Sequence, residues 1–253
     1  MPRMRQAAQP FLARSLAAGY QPGAVLERHS HEWVQLVYAS EGVMSVHTDE
    51  GTWVVPPNRS VWIPARVGHS IAMSGRVSMR TVYFLPRMVK SLPQRCCVIE
   101  VSALLRELIL RAVTMGPLRR DVPEHRRLVE FMLDQLRILP TLALELPMPR
   151  DPRALRVAIR IRDNPGERAT LASLAKAAGA SHRTLERVFQ ADTAMTLGRW
   201  RQQARLLLAV RMLAGGESVT ATALEVGYDS TSAFIEAFAS VLGTTPGRYY
   251  KTD

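Results

Sequence analysis

Two sets of side chains in this sequence have the types that bind metal ions or nucleic acids. The first set is His29, His31 and His69, whose imidazole nitrogens are good ligands for divalent transition metals. The second set is Arg183 and Arg187, because the arginine fork matches both phosphate and the edge of guanine. The sequence shows no nucleophile with a base at a recognisable spacing, no phosphate loop and no dinucleotide fingerprint. We therefore predict a binding protein and not an enzyme.

Charge and cysteine content narrow the class of protein. The 253 residues include 33 Lys and Arg against 22 Asp and Glu, a formal net charge of +11. Such an excess points to a polyanion, either nucleic acid or an anionic membrane surface. The two cysteines are neighbours, Cys96 and Cys97, which excludes a disulfide scaffold. Because the sequence has neither a long apolar run nor an apolar leader, we expect a reduced, cytoplasmic protein without a membrane segment.

The residue pattern changes twice along the chain and predicts an α+β protein of two domains. Residues 24–86 contain short β-branched and aromatic runs separated by turn residues, which is typical of a sandwich or small barrel. Residues 102–139 have two apolar stripes at helical spacing, which predicts a helical hairpin. Repeated proline in residues 139–152 excludes a helix and indicates a linker. We expect a β-barrel domain with its hairpin over 1–139, a proline-rich linker over 140–152 and an all-α domain over 153–253.

The all-α part contains two helix-turn-helix patterns. In the first, Thr170 can cap a short helix, Gly179 can end it, and Ser181 can cap a second helix over 182–190. The second pattern repeats this order with Ser218, then Gly227, then either Asp229 or Ser230. Apolar residues at helical spacing over 196–213 predict one long helix that joins the two patterns.

This arrangement resembles the DNA-binding half of the AraC/XylS family of bacterial transcription regulators. The matching residues are Leu174-Ala175, Ser181, Leu185 and Phe189; Arg205, Ala209 and Leu213; and Ala223-Leu224-Glu225-Val226-Gly227-Tyr228, Phe234, Phe238 and Gly243-Thr244-Thr245-Pro246. The resemblance implies that the second helix of each pattern enters one of two successive major grooves of double-stranded DNA. It implies that six side chains aim at base edges: Arg183, Glu186, Arg187, Thr231, Ser232 and Glu236.

Charge is divided unequally between the two patterns. Residues 153–211 hold twelve Arg or Lys and four Asp or Glu, a net of +8, whereas residues 212–247 hold four Asp or Glu and no Arg or Lys. We expect the first pattern and the joining helix to supply most of the affinity for phosphates, through cations such as Arg199, Arg201 and Arg205. The second pattern would then add weaker or indirect readout.

The β-rich part resembles a cupin, and a cupin-like half is a common partner of this DNA-binding half in the AraC family. Two stretches carry the resemblance: Gly23, His29-Ser30-His31, Gln35 and Gly42, and then Pro64-Ala65-Arg66-Val67-Gly68-His69. Gln35 stands where cupins carry Glu, and Arg66 stands where Gly is usual. The matching residues of metal-binding cupins converge inside the barrel, and here they are His29, His31, Gln35 and His69. The resemblance implies either a site for Fe(II), Ni(II), Zn(II) or Mn(II), or a metal-free pocket, since Gln is a poor ligand.

The same barrel is the expected site of a small-molecule effector, because a small barrel can enclose one ligand. Trp33, Tyr38 and Trp53 offer aromatic walls, and Arg66 could fix an anion. The resemblance also implies a homodimer formed through the helical hairpin, and a contact with RNA polymerase if the protein is an activator.

Functions from different classes remain open at this point. The leading hypothesis is a sequence-specific DNA-binding regulator of the AraC type, modulated by a small molecule in the barrel. The alternative is a metal-dependent cupin enzyme with an appended helical domain, which the three histidines motivate. The missing carboxylate at Gln35 and the specificity of the helical half argue against that enzyme. A third hypothesis is a DNA-binding protein whose sensor half is inactive.

Overall fold

The chain folds into a β-sheet domain followed by a helical domain, which confirms the predicted α+β arrangement. The computed structural model describes residues 11–57, 59–138, 141–142 and 144–249. Residues 140 and 143, which belong to the predicted linker, lie outside the described residues.

Ten antiparallel strands among the described residues form the sheet, and two long strands organise the others. β3 (Val34–Thr48) pairs with β6 (His69–Phe84). Each of these two strands also pairs with one further strand near its start and with another near its end. The register shifts around Gly42, whose φ of 76° and close approach to the Arg76 carbonyl leave no room for a side chain. The other strands are β1 (Phe11–Tyr20), β2 (Val25–His29), β4 (Gly51–Val55), β5 (Arg59–Ile63), β7 (Cys97–Glu100), β8 (Leu118–Arg119), β9 (Thr141–Leu142) and β10 (Glu145–Pro147).

Eight α-helices lie in the described ranges, and two of them belong to the β domain. They are α1 (Ala103–Met115), α2 (Pro123–Ile138), α3 (Pro152–Asp163), α4 (Leu171–Ala177), α5 (His182–Thr193), α6 (Leu197–Ala214), α7 (Val219–Glu225) and α8 (Thr231–Leu242). The predicted caps of α4, α5, α7 and α8 are confirmed, because Thr170, Ser181, Ser218 and Ser230 each accept a hydrogen bond from the backbone N–H three residues later. No helix in these ranges combines the length and the apolar character needed to cross a bilayer.

The side chains of β3 alternate between two faces, and this alternation separates two hydrophobic cores. Leu36 and Tyr38 lie in the core that α1 and α2 cover. Val37 lies on the opposite face, as does Gln35, and belongs to the core that continues into the helical domain. The prediction that Tyr38 lines a ligand pocket with Gln35 is therefore wrong, because adjacent strand positions point to opposite faces. Burial under the hairpin raises the pKa of the Tyr38 hydroxyl.

The proline-rich segment does more than link the domains. No helix begins in its described part before Pro152, as predicted, but residues 145–147 form β10 and pair with β4 at the edge of the sheet. The backbone N–H of Met148 donates to the carbonyl of Glu50, 2.9 Å away, and continues this attachment. The interpretation of residues 140–152 as a linker alone is therefore corrected, because the segment's backbone groups complete the β domain.

Helix α6 joins the two domains in one hydrophobic core. Trp200 is fully buried, and its Nε1 donates to the carbonyl of Pro147 in β10, 2.7 Å away. Gln203, one helical turn further along, donates from Nε2 to the carbonyl of Glu145, 3.0 Å away. The buried cluster that contains Trp200 also contains Ile71 of β6. The helical domain is therefore packed directly against the β domain.

We predict that Trp200→Phe lowers the free energy of unfolding by about 1–3 kcal/mol, because it leaves the part-buried Pro147 carbonyl without its side-chain donor. Urea-induced unfolding of the full chain measures the change. Leu224→Ala is the control, because Leu224 is 56% exposed and its loss should change the free energy of unfolding by less than about 0.5 kcal/mol. Equal stability of Trp200→Phe and the unchanged chain would show that α6 is not held to β10.

Candidate DNA-binding surface and histidine cluster

Helix α5 buries one face and leaves two arginines on the other. Leu185, Val188 and Phe189 pack into the helical core. Arg183 and Arg187 are exposed, and neither forms an ion pair within the described part of the chain. Two unengaged guanidinium groups on one capped helix can bind phosphate oxygens or the acceptors of guanine.

Glu186 has a structural task that the sequence did not show. Its Oε2 accepts a hydrogen bond from the backbone N–H of Leu197 at the start of α6, 3.0 Å away. Its Oε1 lies 3.3 Å from Nε2 of His182. The predicted role of Glu186 as a base reader is therefore corrected, because its carboxylate caps α6 and fixes the angle between α5 and α6.

Arg201 and Arg205 point into the protein. The guanidinium of Arg201 donates to the carbonyl of Ala169, 2.6 Å away. Arg205 donates from Nε to the carbonyl of Pro165, 3.1 Å away, and its guanidinium carbon lies 5.8 Å from the ring centre of Tyr228. Burial lowers the pKa of both arginines. Both arginines hold the segment before α4 and the turn after α7 against α6, so their predicted phosphate contacts gain no support from these positions and stay a prediction.

Three further cations of this region, Arg168, Lys176 and Arg199, are exposed. Arg199 lines the clefts between α6 and the β domain, beside Leu144 and Glu145. Its expected phosphate contact therefore gains no support from this position. Arg168 and Lys176 are exposed and form no ion pair among the described residues. Sequence reasoning counted the charge of these two without selecting them, because side-chain exposure is not visible in a residue pattern.

Helix α8, like α5, buries one face and exposes the other, but the side chains on its exposed face are different. Phe234 and Phe238 are fully buried, and Ser232 and Glu236 are exposed on the other side. Thr231 is half-buried in the first turn. This exposed face carries no cation and one carboxylate, so it can read polar base edges but gains little from phosphates.

We predict that Arg205→Gln lowers the free energy of unfolding by about 1–3 kcal/mol, because it removes a part-buried charge-assisted hydrogen bond to Pro165. Arg187→Gln on exposed α5 is the matched control and should change stability by less than about 0.5 kcal/mol. Thermal or urea unfolding compares the two variants. If both variants are as stable as the unchanged chain, Arg205 is not the internal clamp that we describe.

Three histidines of the β domain converge with a common orientation. Each uses Nδ1 to bond a backbone carbonyl: His29 bonds that of Glu27 at 2.7 Å, His31 that of Trp33 at 2.7 Å, and His69 that of Val67 at 2.9 Å. A carbonyl only accepts, so each Nδ1 carries a proton, and Nε2 is the nitrogen that offers a lone pair when the ring is neutral. One ligand atom from each ring lies within 4.8 Å of the others.

His69 is the buried member of this histidine cluster. Its side chain is fully enclosed, and Nε2 has no hydrogen-bond partner among the described residues. Burial lowers the pKa of His69 to about 4, so the ring is neutral at physiological pH. A buried, neutral and unsatisfied imidazole nitrogen between two other histidines fits a divalent transition metal.

Gln35 joins the histidine cluster from β3, as the sequence predicts. Its Nε2 donates to Thr81 Oγ1 and to the Tyr83 hydroxyl, both 3.0 Å away, which turns Oε1 toward His31 Nε2 at 3.0 Å. When His31 is neutral, these two atoms are both acceptors, and a cation between them or a proton on His31 would satisfy the contact. The Tyr83 ring centre lies 5.2 Å from that of His31, so Tyr83 belongs to the site.

The side chains of three other predicted pocket residues have partners outside the histidine cluster. Trp33 packs under the guanidinium of Arg14, 5.1 Å from the ring centre. Trp53 donates from Nε1 to Glu145 Oε2, 3.0 Å away, on the side of the helical domain. Arg66 is exposed and pairs with Glu32 at 2.8 Å. Each of these side chains has another partner, so the predicted pocket of Trp33, Trp53 and Arg66 gains no support and stays a prediction.

Sequence models of two protein families match the chain. The AraC-like ligand binding domain matches residues 12–137, and a helix-turn-helix domain matches residues 174–252. The chain is 34% identical over 221 residues to the HTH-type transcriptional regulator NimR of Escherichia coli (strain K12). The matched region covers 87% of this chain and 81% of NimR.

Two further similarities are more limited. The chain is 36% identical over 104 residues to the HTH-type transcriptional regulator RipA of Corynebacterium glutamicum, over 41% of this chain and 31% of RipA. A superposition on the crystal structure of unsaturated fatty acid bound ToxT from Vibrio cholerae covers 97% of this chain and 96% of the ToxT chain. The sequence identity is 11% and the TM-score is 0.38. NimR and RipA are transcriptional regulators and not enzymes. This chain belongs to the AraC family of transcriptional regulators, with an AraC-like ligand-binding domain and a helix-turn-helix DNA-binding domain.

Proposed function

We propose that the protein recognises a specific DNA sequence through the exposed faces of α5 and α8, and that a ligand at the histidine cluster modulates this recognition. The observation that carries the first part is the exposure of Arg183 and Arg187 on α5, without an ion pair in the described structure. Most other arginines of this domain are engaged, such as Arg160 with Glu167 and Arg162 with Asp163. Unengaged arginines on one capped helix support contact with DNA.

The two recognition helices contribute differently to this proposal. Arg183 and Arg187, with Arg168 and Lys176 nearby in sequence, supply the electrostatic attraction to phosphates. Thr231, Ser232 and Glu236 of α8 supply hydrogen-bonding groups without positive charge, so they contribute sequence preference more than affinity. Because Arg201 and Arg205 are internal, fewer phosphates are neutralised than the net charge of the domain suggests.

We predict that Arg183→Gln and Arg187→Gln each weaken binding to the cognate duplex by about 1–3 kcal/mol. Each should also reduce the slope of log affinity against log salt by about 0.9 if it removes a phosphate contact. Fluorescence anisotropy with cognate and scrambled duplexes at several salt concentrations measures both quantities. Arg162→Gln is the control, because this α3 cation pairs with Asp163. Unchanged affinity in both α5 variants, or an equal loss in the control, would contradict the proposal.

We also propose that the histidine cluster holds one divalent transition metal through His29, His31 and His69, with Gln35 Oε1 as a further oxygen donor. The converging ring nitrogens and the orphaned Nε2 of His69 support this choice over a metal-free pocket. A metal there would supply a fixed positive charge and an open position for an effector donor. The backbone carbonyls that bond each Nδ1 would hold the rings in place.

We predict that protein freed of metal by a chelator takes up one Co(II) or Zn(II) per chain, and that His69→Ala abolishes this uptake. Equilibrium dialysis followed by elemental analysis gives the stoichiometry. His182→Ala is the control, because His182 lies on α5 outside the histidine cluster and its loss should leave uptake unchanged. If the unchanged chain takes up no metal, or His69→Ala takes up as much, the pocket is metal-free.

We further propose a homodimer formed through α1 and α2. Leu104 on α1 and Phe131 on α2 are each 46% exposed. Leu108, Met115 and Leu128 line the groove between the two helices beside Phe131. A second copy presenting the same two helices would cover these side chains in a two-fold interface.

A further inference from the structure

The carboxylate of Asp192 joins the last turn of α5 to the chain that leaves the β domain. Its Oδ2 accepts the backbone N–H of Arg150, 2.8 Å away, and that of Asp151, 3.1 Å away. Arg150 and Asp151 lie between β10 and α3. One carboxylate oxygen therefore holds two successive N–H groups of this chain against the helix that carries Arg183 and Arg187.

The connecting segment, residues 148–151, has little conformational freedom of its own. It is all that separates the end of β10 at Pro147 from the start of α3 at Pro152. Pro147, Pro149 and Pro152 each have a fixed φ, and each restricts the residue before it to extended conformations. A short, proline-rich segment of this kind transmits a displacement of one end to the other more readily than a flexible linker does.

The first end of the connecting segment is fixed to the β domain. β10 pairs with β4, and the N–H of Met148 donates to the carbonyl of Glu50, 2.9 Å away. Glu145 of β10 also accepts a hydrogen bond from Trp53 Nε1 in β4. The β4–β10 edge is therefore attached to α5 through the connecting segment, at a different place from the bond that Trp200 of α6 makes to β10.

The last turn of α5, at the other end of this connection, is itself held in place. The Thr193 side chain is buried, and its hydroxyl donates to the carbonyl of Phe189, 2.7 Å away, and accepts the N–H of Met195, 3.3 Å away. Asp192 beside it is exposed, so water can replace its two hydrogen bonds when they break. These two bonds therefore contribute little to stability, and their main consequence is the position of α5 relative to the connecting segment.

We propose that Asp192 is a positioning residue for DNA recognition, which holds α5 at a fixed place relative to the β4–β10 edge of the β domain. The proposal rests on the proposed contact of α5 with DNA. A helix that is already held in place loses less conformational freedom when it enters a major groove, so the Asp192 contact favours binding of the cognate duplex. A displacement of the β4–β10 edge would move α5 or break this contact.

The test compares Asp192→Ala with Asp192→Asn in the full chain. Both variants lose the negative charge, but the side-chain oxygen of Asn can still accept the two N–H groups. The probe is a duplex selected from a random-sequence pool by the unchanged chain, and fluorescence anisotropy measures its affinity. We expect Asp192→Ala to bind it about threefold to tenfold more weakly than Asp192→Asn, because only the alanine variant loses the two hydrogen bonds.

Amide hydrogen exchange, measured by NMR, follows the contact itself. The N–H groups of Arg150 and Asp151 should exchange about threefold to tenfold faster in Asp192→Ala than in Asp192→Asn. In the unchanged chain, the selected duplex should slow the exchange of the same two N–H groups, because coupling between two binding events is reciprocal. This protection needs no variant, and a purely structural role of Asp192 would not produce it. Thermal unfolding midpoints of the two variants should agree within about 2 °C, which shows that both are folded.

The proposal is overturned if the two variants bind the duplex equally, or if the duplex leaves the exchange of the Arg150 and Asp151 N–H groups unchanged. Arg187→Gln shows whether the proposed function fails with it. If Arg187→Gln weakens binding and Asp192→Ala does not, α5 reads DNA without this contact and only the present proposal fails. If neither variant weakens binding, α5 does not read DNA and both proposals fail.

Discussion

Burial of helix α6 between three partners is the constraint on which the rest of this structure depends. Trp200 fixes one side of the helix to β10, and Glu186 of α5 caps its first turn. On another side Arg201 and Arg205 hold the segment before α4 and the turn after α7. Helices α5 and α8 are therefore both positioned relative to α6, and the β domain is attached to the same helix.

This constraint explains why net charge is a poor guide to DNA affinity in this chain. Arg201 and Arg205 add to the net charge of the sequence, but in the fold they bond backbone carbonyls of the helical domain. Burial lowers the pKa of both, and it also lowers the pKa of Arg211 in α6. The guanidinium group suits this use, because it stays charged while it satisfies several backbone carbonyls at once. The exposed cations that we assign to DNA lie on α5 or shortly before it, whereas the exposed face of α8 offers polar groups and one carboxylate.

Local features of the fold could be predicted from the sequence, because caps and apolar spacing act within a few residues. Thr170 and Ser181 begin their helices as expected, and the cupin-like motifs place His29, His31 and His69 together. The errors concern partners that are distant in the chain. Glu186 caps a helix eleven residues away, Arg201 bonds a carbonyl 32 residues away, and Tyr38 faces the hairpin because of strand register. The clefts between α6 and the β domain need the packing of both domains, which no single-sequence pattern contains.

Selection of bound duplexes from a random-sequence pool by the full chain tests the central claim most directly. If α6 holds α5 and α8 in successive major grooves, the selected duplexes should share two preferred segments whose centres lie about 10 base pairs apart, which is one helical turn. The segment that faces α5 should be the more strongly preferred, because arginine can form a bidentate contact with guanine. A single preferred segment, or two segments at variable spacing, would contradict the account of α6 as a rigid connection between two recognition helices.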